Sequence, residues 1–377
     1  MAKHRIKPHE IALGSELPWD VFDANGRLLL SKGHVIQSAN QIEALIKRGL
    51  FAEAERMAST LSNRVQSAPT GSAVSLIMDA RRHLQIICGP ANPHENFSEH
   101  ILQIRKLITR ACDLSEDATI ATALLERRGR YSIRHSLDVA ITCHVVGKQL
   151  GIEQPELTST VCAALTMNLS ILELQDTLQS HKGSLTEAQR EIIRGHPEAS
   201  VEILRELGVT DETWLGAVLS HHETVDGTGY RLGKKGDEIS LPAQLVSLAD
   251  VYCARISSRQ YRTALRPNAA LKALFLEQGK KVRQGLASQF IKAVGVFPAG
   301  TPVRLENGEI GIVTSRGNSP TKPFVCSVIG SRGMPLAVPT RRDTACPPFG
   351  VREVVEWSEL GAVPSMLSLW GKIASIG

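Results

Sequence analysis

Long apolar runs are missing from this chain. No stretch among its 377 residues approaches the roughly 18 unbroken apolar residues of a membrane-spanning helix, so no membrane span is expected. The first ten residues, Met1 to Glu10, are basic but have no apolar centre, which is not the pattern of a secretory signal. Paired cysteine motifs are missing too. The seven cysteines, Cys88, Cys112, Cys143, Cys162, Cys253, Cys326 and Cys346, are scattered, odd in number and never spaced as Cys-x-x-Cys. That usage argues against a disulfide framework and against a cysteine zinc site, and it suits reduced thiols in the cytoplasm. A strong charge surplus is the third absence. A net charge of +5 could favour an anionic ligand, but it is too small to point to a nucleic-acid partner. What is present, 42% apolar and 21% charged residues, is the balance of a globular chain long enough for two or three domains.

The pattern changes along the chain. Residues 1–56 read as a small α/β module. Leu17 to Val21 and Arg27 to Leu30 are short strand candidates, joined by the turn signal Asp23-Ala24-Asn25-Gly26. Ser38 fits the N-cap of a helix with Ile42, Leu45 and Ile46 on one face, ending before Gly49. Residues 57–97 read as a linker carrying one helical segment, near 74–88, which Gly89-Pro90 breaks. From 98 to 295 the period is helical, with Ile101, Ile104, Leu107 and Ile108 on one face. Thr186 and Gln189 have capping-box spacing. Pro197 fits the first turn of a helix opening after His196, and Asp211 starts another that leads to His221. Near 296 the period changes to two. Thr301 to Leu305, Ile310 to Thr314 and Phe324 to Ile329 read as strands, with turns at 306–308 and 316–318, in a β appendage spanning 296–356. Residues 357–377, with Leu360, Val363, Met366, Leu367 and Trp370, read as an amphipathic tail that packs on its own domain or serves a partner.

Imidazoles and carboxylates recur in a definite order. His135 is followed by His196-Pro197, then His221-His222-Glu223, then Asp226-Gly227-Thr228-Gly229-Tyr230, then Ala249-Asp250. Such side chains together suit iron, manganese or zinc. His83, His94, His100, His144 and His181 stand outside this order and read as ordinary packed or surface histidines. The order, the spacing and the Gly-Tyr loop resemble those of the HD-GYP family, phosphohydrolases that cleave cyclic di-GMP at a two-metal centre. The resemblance covers roughly residues 125–295 and extends through Val296-Phe297-Pro298-Ala299-Gly300-Thr301. It implies one metal held by His135, the family's His-Asp pair and Asp250. It implies a second held by the paired Asp as a bridge, with His196, His221 and His222.

At the place of the His-Asp pair this chain reads Met167-Asn168. Two dications about 4 Å apart repel by roughly 16 kcal/mol at an effective dielectric near 20, and a bridging carboxylate offsets that repulsion. Asn168 is neutral and cannot replace the anion, and a Met167 thioether is a poor match for hard or borderline metals. Where the family places a phosphate-contacting Lys, the chain has Ile171, after Ser170. The Pro of the name motif is Arg231, which on a Gly-rich loop could pair with a phosphate. Arg259 and Arg262, around Tyr261, resemble the family stretch that lines its substrate cleft.

The expected fold is therefore mainly α, an all-helical HD-type domain with a small N-terminal α/β module and a small C-terminal β appendage. The expected function is a degenerate HD-GYP-type signalling protein, impaired in catalysis, acting as a cyclic dinucleotide effector or as a scaffold for a protein partner. One alternative is a cyclic di-GMP phosphodiesterase with a reorganised, mononuclear site; another is a protein-docking module. The expected metal ligands are His135, His196, His221, His222 and Asp250, holding one divalent ion (iron, manganese or zinc) and not two. Gly227, Gly229, Tyr230, Arg231, Arg259 and Arg262 are the expected ligand contacts. The sequence specifies no oligomeric state.

Overall fold

The computed structural model describes residues 3–5, 21–22, 27–31, 34, 51–53, 71–89, 95–181, 183–230, 232–257 and 264–375. At the N-terminus, β1 (Lys3–Arg5), β2 (Val21–Phe22), β3 (Leu28–Leu30) and β4 (Phe51–Glu53) pair antiparallel in the order β1-β4-β2-β3. Strands β2 and β3 fall within or at the end of the two segments read as strands; β1 and β4 are additional. The Asp23–Gly26 turn and the helix expected from Ser38 lie outside the described residues.

A helical body follows. Helix α1 (Ala73–Ile87) opens at Ser72, whose Oγ accepts the Ser75 N–H at 3.1 Å. Helix α2 (Phe97–Leu125) buries Ile101, Ile104, Leu107 and Ile108, the face that their spacing specifies. It is interrupted at Ser115, where the backbone is extended and the Ser115 Oγ accepts the Ala118 N–H, so the helix restarts with its own cap. Helix α3 (Tyr131–Gln149) is buried on nearly every side and runs through the centre. Its first turn has no local side-chain cap. Asp176 supplies one from a distance, accepting from Ser132 N at 2.8 Å, Ser132 Oγ at 2.9 Å and Arg130 Nε at 2.7 Å.

Around α3 pack α4 (Glu156–Thr166), α5 (Leu172–Gln179), α8 (Leu241–Ile256) and α10 (Leu286–Val294). Helices α6 (Glu187–Glu206), α7 (Glu212–Ser220) and α9 (Pro267–Glu277) complete the body. The Thr186–Gln189 capping box forms as read. Pro197 does not open a helix; it lies inside α6, which continues across it. Residues 156–179 contain an 18-residue window with the hydropathy of a membrane span, yet 72% of that window is buried inside the helical body. Its apolarity is that of a core element.

At the C-terminal side, β5 (Pro302–Leu305), β6 (Ile310–Ser319), β7 (Lys322–Ile329), β8 (Pro335–Asp343) and β9 (Val351–Val354) form an antiparallel sheet in the order β8-β7-β6-β5-β9. The turn expected at Arg316–Asn318 is instead part of β6, which runs on through register shifts to pair Ser319 with Lys322. β8 and β9 were not among the expected strands. The sheet is pinned to the helices by Arg316, which donates to Glu116 at 2.6 Å, to Asp117 at 3.1 Å and to the Ala293 carbonyl at 2.7 Å. The tail forms only a five-residue helix, α11 (Met366–Trp370), flanked by 3-10 turns. It packs on its own chain: Met366 and Ala374 share a core cluster with Val74 and Ala121, and Trp370 Nε1 donates to the Thr314 carbonyl at 2.8 Å.

Candidate metal centre

Three histidines, one inside a helix and two just past the end of another, meet at one point. The ring nitrogens that His196, His221 and His222 offer all lie within 4.8 Å of one another. His196 sits in α6, one residue before Pro197. A proline has no N–H, so the Ile193 carbonyl, four residues before it, loses its helical partner. His196 takes its place, with Nδ1 donating to that carbonyl at 2.6 Å. His221 stands at the end of α7, where the last carbonyls of a helix are also released. Its Nδ1 donates to the Val218 carbonyl at 2.6 Å. In both cases a freed helix carbonyl fixes the tautomer and leaves Nε2 as the acceptor atom. The two Nε2 atoms face each other at 3.2 Å.

Burial, with His222 nearby, pushes His196 down to about 4; burial and His196 do the same to His221. Burial and His221 bring His222 to about 3. All three are neutral at physiological pH, the state in which imidazole ligates. Beside them, His135 Nε2 donates to Asp250 Oδ1 at 2.6 Å across 115 residues of sequence. Burial pushes the Asp250 carboxyl up, but the hydrogen bond and charge of His135, with His222 and His221, outweigh it and hold the group well below the usual carboxylate range.

The Gly-rich loop folds back on the histidines. Tyr230 N donates to the His222 carbonyl at 3.2 Å, and the Tyr230 ring stacks on His222 at 4.7 Å. The return passes so close to residues 222–224 that a Cβ on Gly229 would lie 2.6 Å from the His222 oxygen, the Glu223 Cα and the Thr224 nitrogen. Gly227 has φ +74°, which also favours glycine. Glu223 is buried and accepts from Leu232 N at 2.6 Å and Lys234 N at 3.1 Å, clamping the far side of the loop. That role was not among the sequence expectations, because a carboxylate holding amides has no spacing rule. Asp226 is exposed and ties Thr224 and Thr228 together.

Against this loop lies a cavity of about 270 Å³, walled by His222, Tyr230, Leu248, Val251, Leu274 and Val282. Arg255, Glu277 and Lys281 add charge to it. Of the expected ligand contacts, Gly229 and Tyr230 line the cavity and Gly227 holds the loop turn. Arg231, Arg259 and Arg262 lie outside the described residues.

A family model described as HD domain matches residues 104–283. The cyclic di-GMP phosphodiesterase PA4108 of Pseudomonas aeruginosa is 28% identical over 74% of this chain and 64% of its own length. The cyclic di-GMP phosphodiesterase PdeB of Borreliella burgdorferi is 26% identical over 53% of this chain and 52% of its own. The chain thus spans about half to two thirds of the length of these relatives. Among solved structures, the HD-GYP-type protein Bd1817 of Bdellovibrio bacteriovorus covers 77% of this chain and 98% of its own, with a TM-score of 0.55 at 15% identity, a likeness of fold.

The family model and the relatives support membership of the HD-GYP family. Met167 ends α4 and is fully buried in the main apolar core, and Asn168, also buried, begins the 3-10 turn that follows. Helix α4 packs on α7 and α8, and the turn packs on α6, so the pair's position adjoins the helices that carry the histidines and Asp250. Ser170 fastens the turn to α6, donating from Oγ to the His196 carbonyl at 3.1 Å and pairing with Ser200. Ile171, at the position where a lysine is expected from the resemblance, is buried and apolar.

Proposed function

We propose that the cleft binds a cyclic dinucleotide beside a single divalent ion held by His196, His221 and His222, and that phosphodiester hydrolysis is weak or lost. The observation that carries the metal reading is the approach of two Nε2 atoms to 3.2 Å while both Nδ1–H groups are committed to carbonyls. Two lone pairs at that separation repel unless a cation lies with them. A tetrahedral ion with ligands at about 2.0–2.1 Å holds its nitrogens about 3.3 Å apart. The neutral state of the three imidazoles fits the same use.

The loss of hydrolysis rests on three residues. Met167 packs in the core, Asn168 brings no charge to bridge a second ion, and Ile171 offers a phosphate nothing. Without a two-ion clamp, the attacking and leaving oxygens of an in-line displacement lose their shared stabilisation. The ligand class is supported by the relatives, named as cyclic di-GMP phosphodiesterases, and by a cavity of mixed apolar and charged lining beside His222.

A second reading, a mononuclear phosphohydrolase, is favoured by one observation: the His135–Asp250 pair. An imidazole oriented by a carboxylate beside a metal site can carry a proton. Calorimetry with cyclic di-GMP, together with a hydrolysis assay under iron, manganese and zinc loading, separates the readings. Saturable binding without metal-dependent turnover is the expected result. Turnover abolished by His221→Ala would transfer the conclusion to the phosphohydrolase. Absence of binding would leave a protein-docking module.

A further inference from the structure

The charged end of the cavity has its own chemistry. Arg255, from the last turn of α8, donates Nη2 to Glu277 Oε1 at 2.6 Å, and both side chains line the cavity. Arg255 Nη1 is buried and has no partner among the described residues. The second oxygen of Glu277 likewise has none among them. A buried guanidinium N–H without an acceptor demands an explanation, and here it stands beside a carboxylate with spare capacity in a slot that also presents the apolar side chains Leu248, Val251, Leu274 and Val282. The slot's walls, Leu248, Val251, Leu274 and Val282, suit the faces of a flat ring.

We infer that Arg255 and Glu277 read the edge of a guanine base, which makes them specificity-determining residues of the cleft. The inference rests on the cyclic dinucleotide reading given above. Guanine presents an acceptor, O6, next to two donors, N1–H and N2–H. The arginine donates to the first and the carboxylate accepts from the other two. Adenine presents one donor and one ring acceptor on the corresponding edge, so it satisfies fewer of these groups and leaves a charged group unpaired. Lys281 stands at the rim, its Nζ donating to Thr228 Oγ1 at 2.7 Å, while the loop is tied to the same segment by Asp226 N to the Lys280 carbonyl at 2.9 Å. A base in the slot leaves its phosphate between this lysine and His222, both of which line the cavity.

The test is calorimetry on the full chain with cyclic di-GMP and cyclic di-AMP, for the wild type, Glu277→Gln and Arg255→Lys. Since a hydrogen bond to a charged group is worth a factor of about 10–100, the wild type is expected to prefer cyclic di-GMP by about tenfold or more. In Glu277→Gln the preference falls to within a few-fold, because an amide accepts less from N1–H and N2–H and can itself pair with adenine. Arg255→Lys weakens cyclic di-GMP binding more than cyclic di-AMP binding, since an ammonium replaces the planar fork. Equal wild-type affinity for the two ligands overturns the inference and leaves the cyclic dinucleotide reading standing. So does a preference that both variants retain while melting and metal content match the wild type. No binding of either ligand overturns the inference and the reading together.

Discussion

At the scale of single residues, two positions carry sharp tests. Gly229 is where the loop backbone passes within contact of residues 222–224. Gly229→Ala must push that backbone apart, so it should cost about 1–3 kcal/mol and loosen the Tyr230–His222 stack. Denaturant titration measures the first effect, and weaker cyclic di-GMP binding reports the second. The other position is His144. Burial, with Arg105 and Lys148, pushes it down to about 4, and burial with His100 pushes His83 down to about 3. The unfolded chain protonates near the ordinary imidazole value of about 6.5, so both folded values lie below the unfolded one. As pH falls from about 6.5 toward about 4, the unfolded state takes up the extra protons and stability declines, by at most about 1.4 kcal/mol per pH unit for each histidine. Neither ring nitrogen of His144 has a partner among the described residues, so His144→Leu removes no hydrogen bond seen there. The variant should be no less stable at about pH 7 and should show a shallower decline by about pH 5 in urea titrations.

Legibility at this scale follows chemistry. His135, His196, His221, His222 and Asp250 stand out because metal-site motifs restrict residue type and order, and the fold brings these five together. Arg255 and Glu277 do not stand out. Theirs is an ordinary charge pair across 22 residues, and nothing in its spacing marks a cavity.

At the scale of elements, Pro197 is the informative case. Read locally, a proline after a histidine opens a helix; in the fold it lies inside one. Its effect is to free the carbonyl that holds His196. Pro197→Ala restores an N–H that competes for Ile193, while relieving a helix defect worth up to about 3 kcal/mol. The variant should melt no lower than wild type and should bind metal about 10–100-fold more weakly, as expected when the partner that orients a ligand is lost. Metal titration by competition with a chelator measures this. Loss of stability with unchanged metal affinity would contradict the assignment. The β appendage shows the opposite failure of local rules. Arg316-Gly317-Asn318 has turn composition, yet cross-strand pairing carries β6 through it.

At the scale of the whole molecule, the sheet and the helical body are joined through Arg316 and the tail. Arg316 is partly buried against Glu116 and Asp117 at the restart of α2, so Arg316→Leu leaves two carboxylates facing an apolar side chain. The expected cost is about 1–2 kcal/mol, discounted for solvent screening. Hydrogen exchange should quicken in β6 and at the C-terminal end of α10, with the histidine cluster unaffected. Exchange that quickens throughout would mean the two layers fold as one unit.

The central proposal is that three histidines hold one ion. Elemental analysis of the purified chain after iron, manganese or zinc loading addresses this directly, with wild type and His221→Ala compared at matched melting temperature. A single bound ion per wild-type chain, lost in the variant, is the expected result. A wild type that retains no ion under any loading, or that retains two, would contradict it.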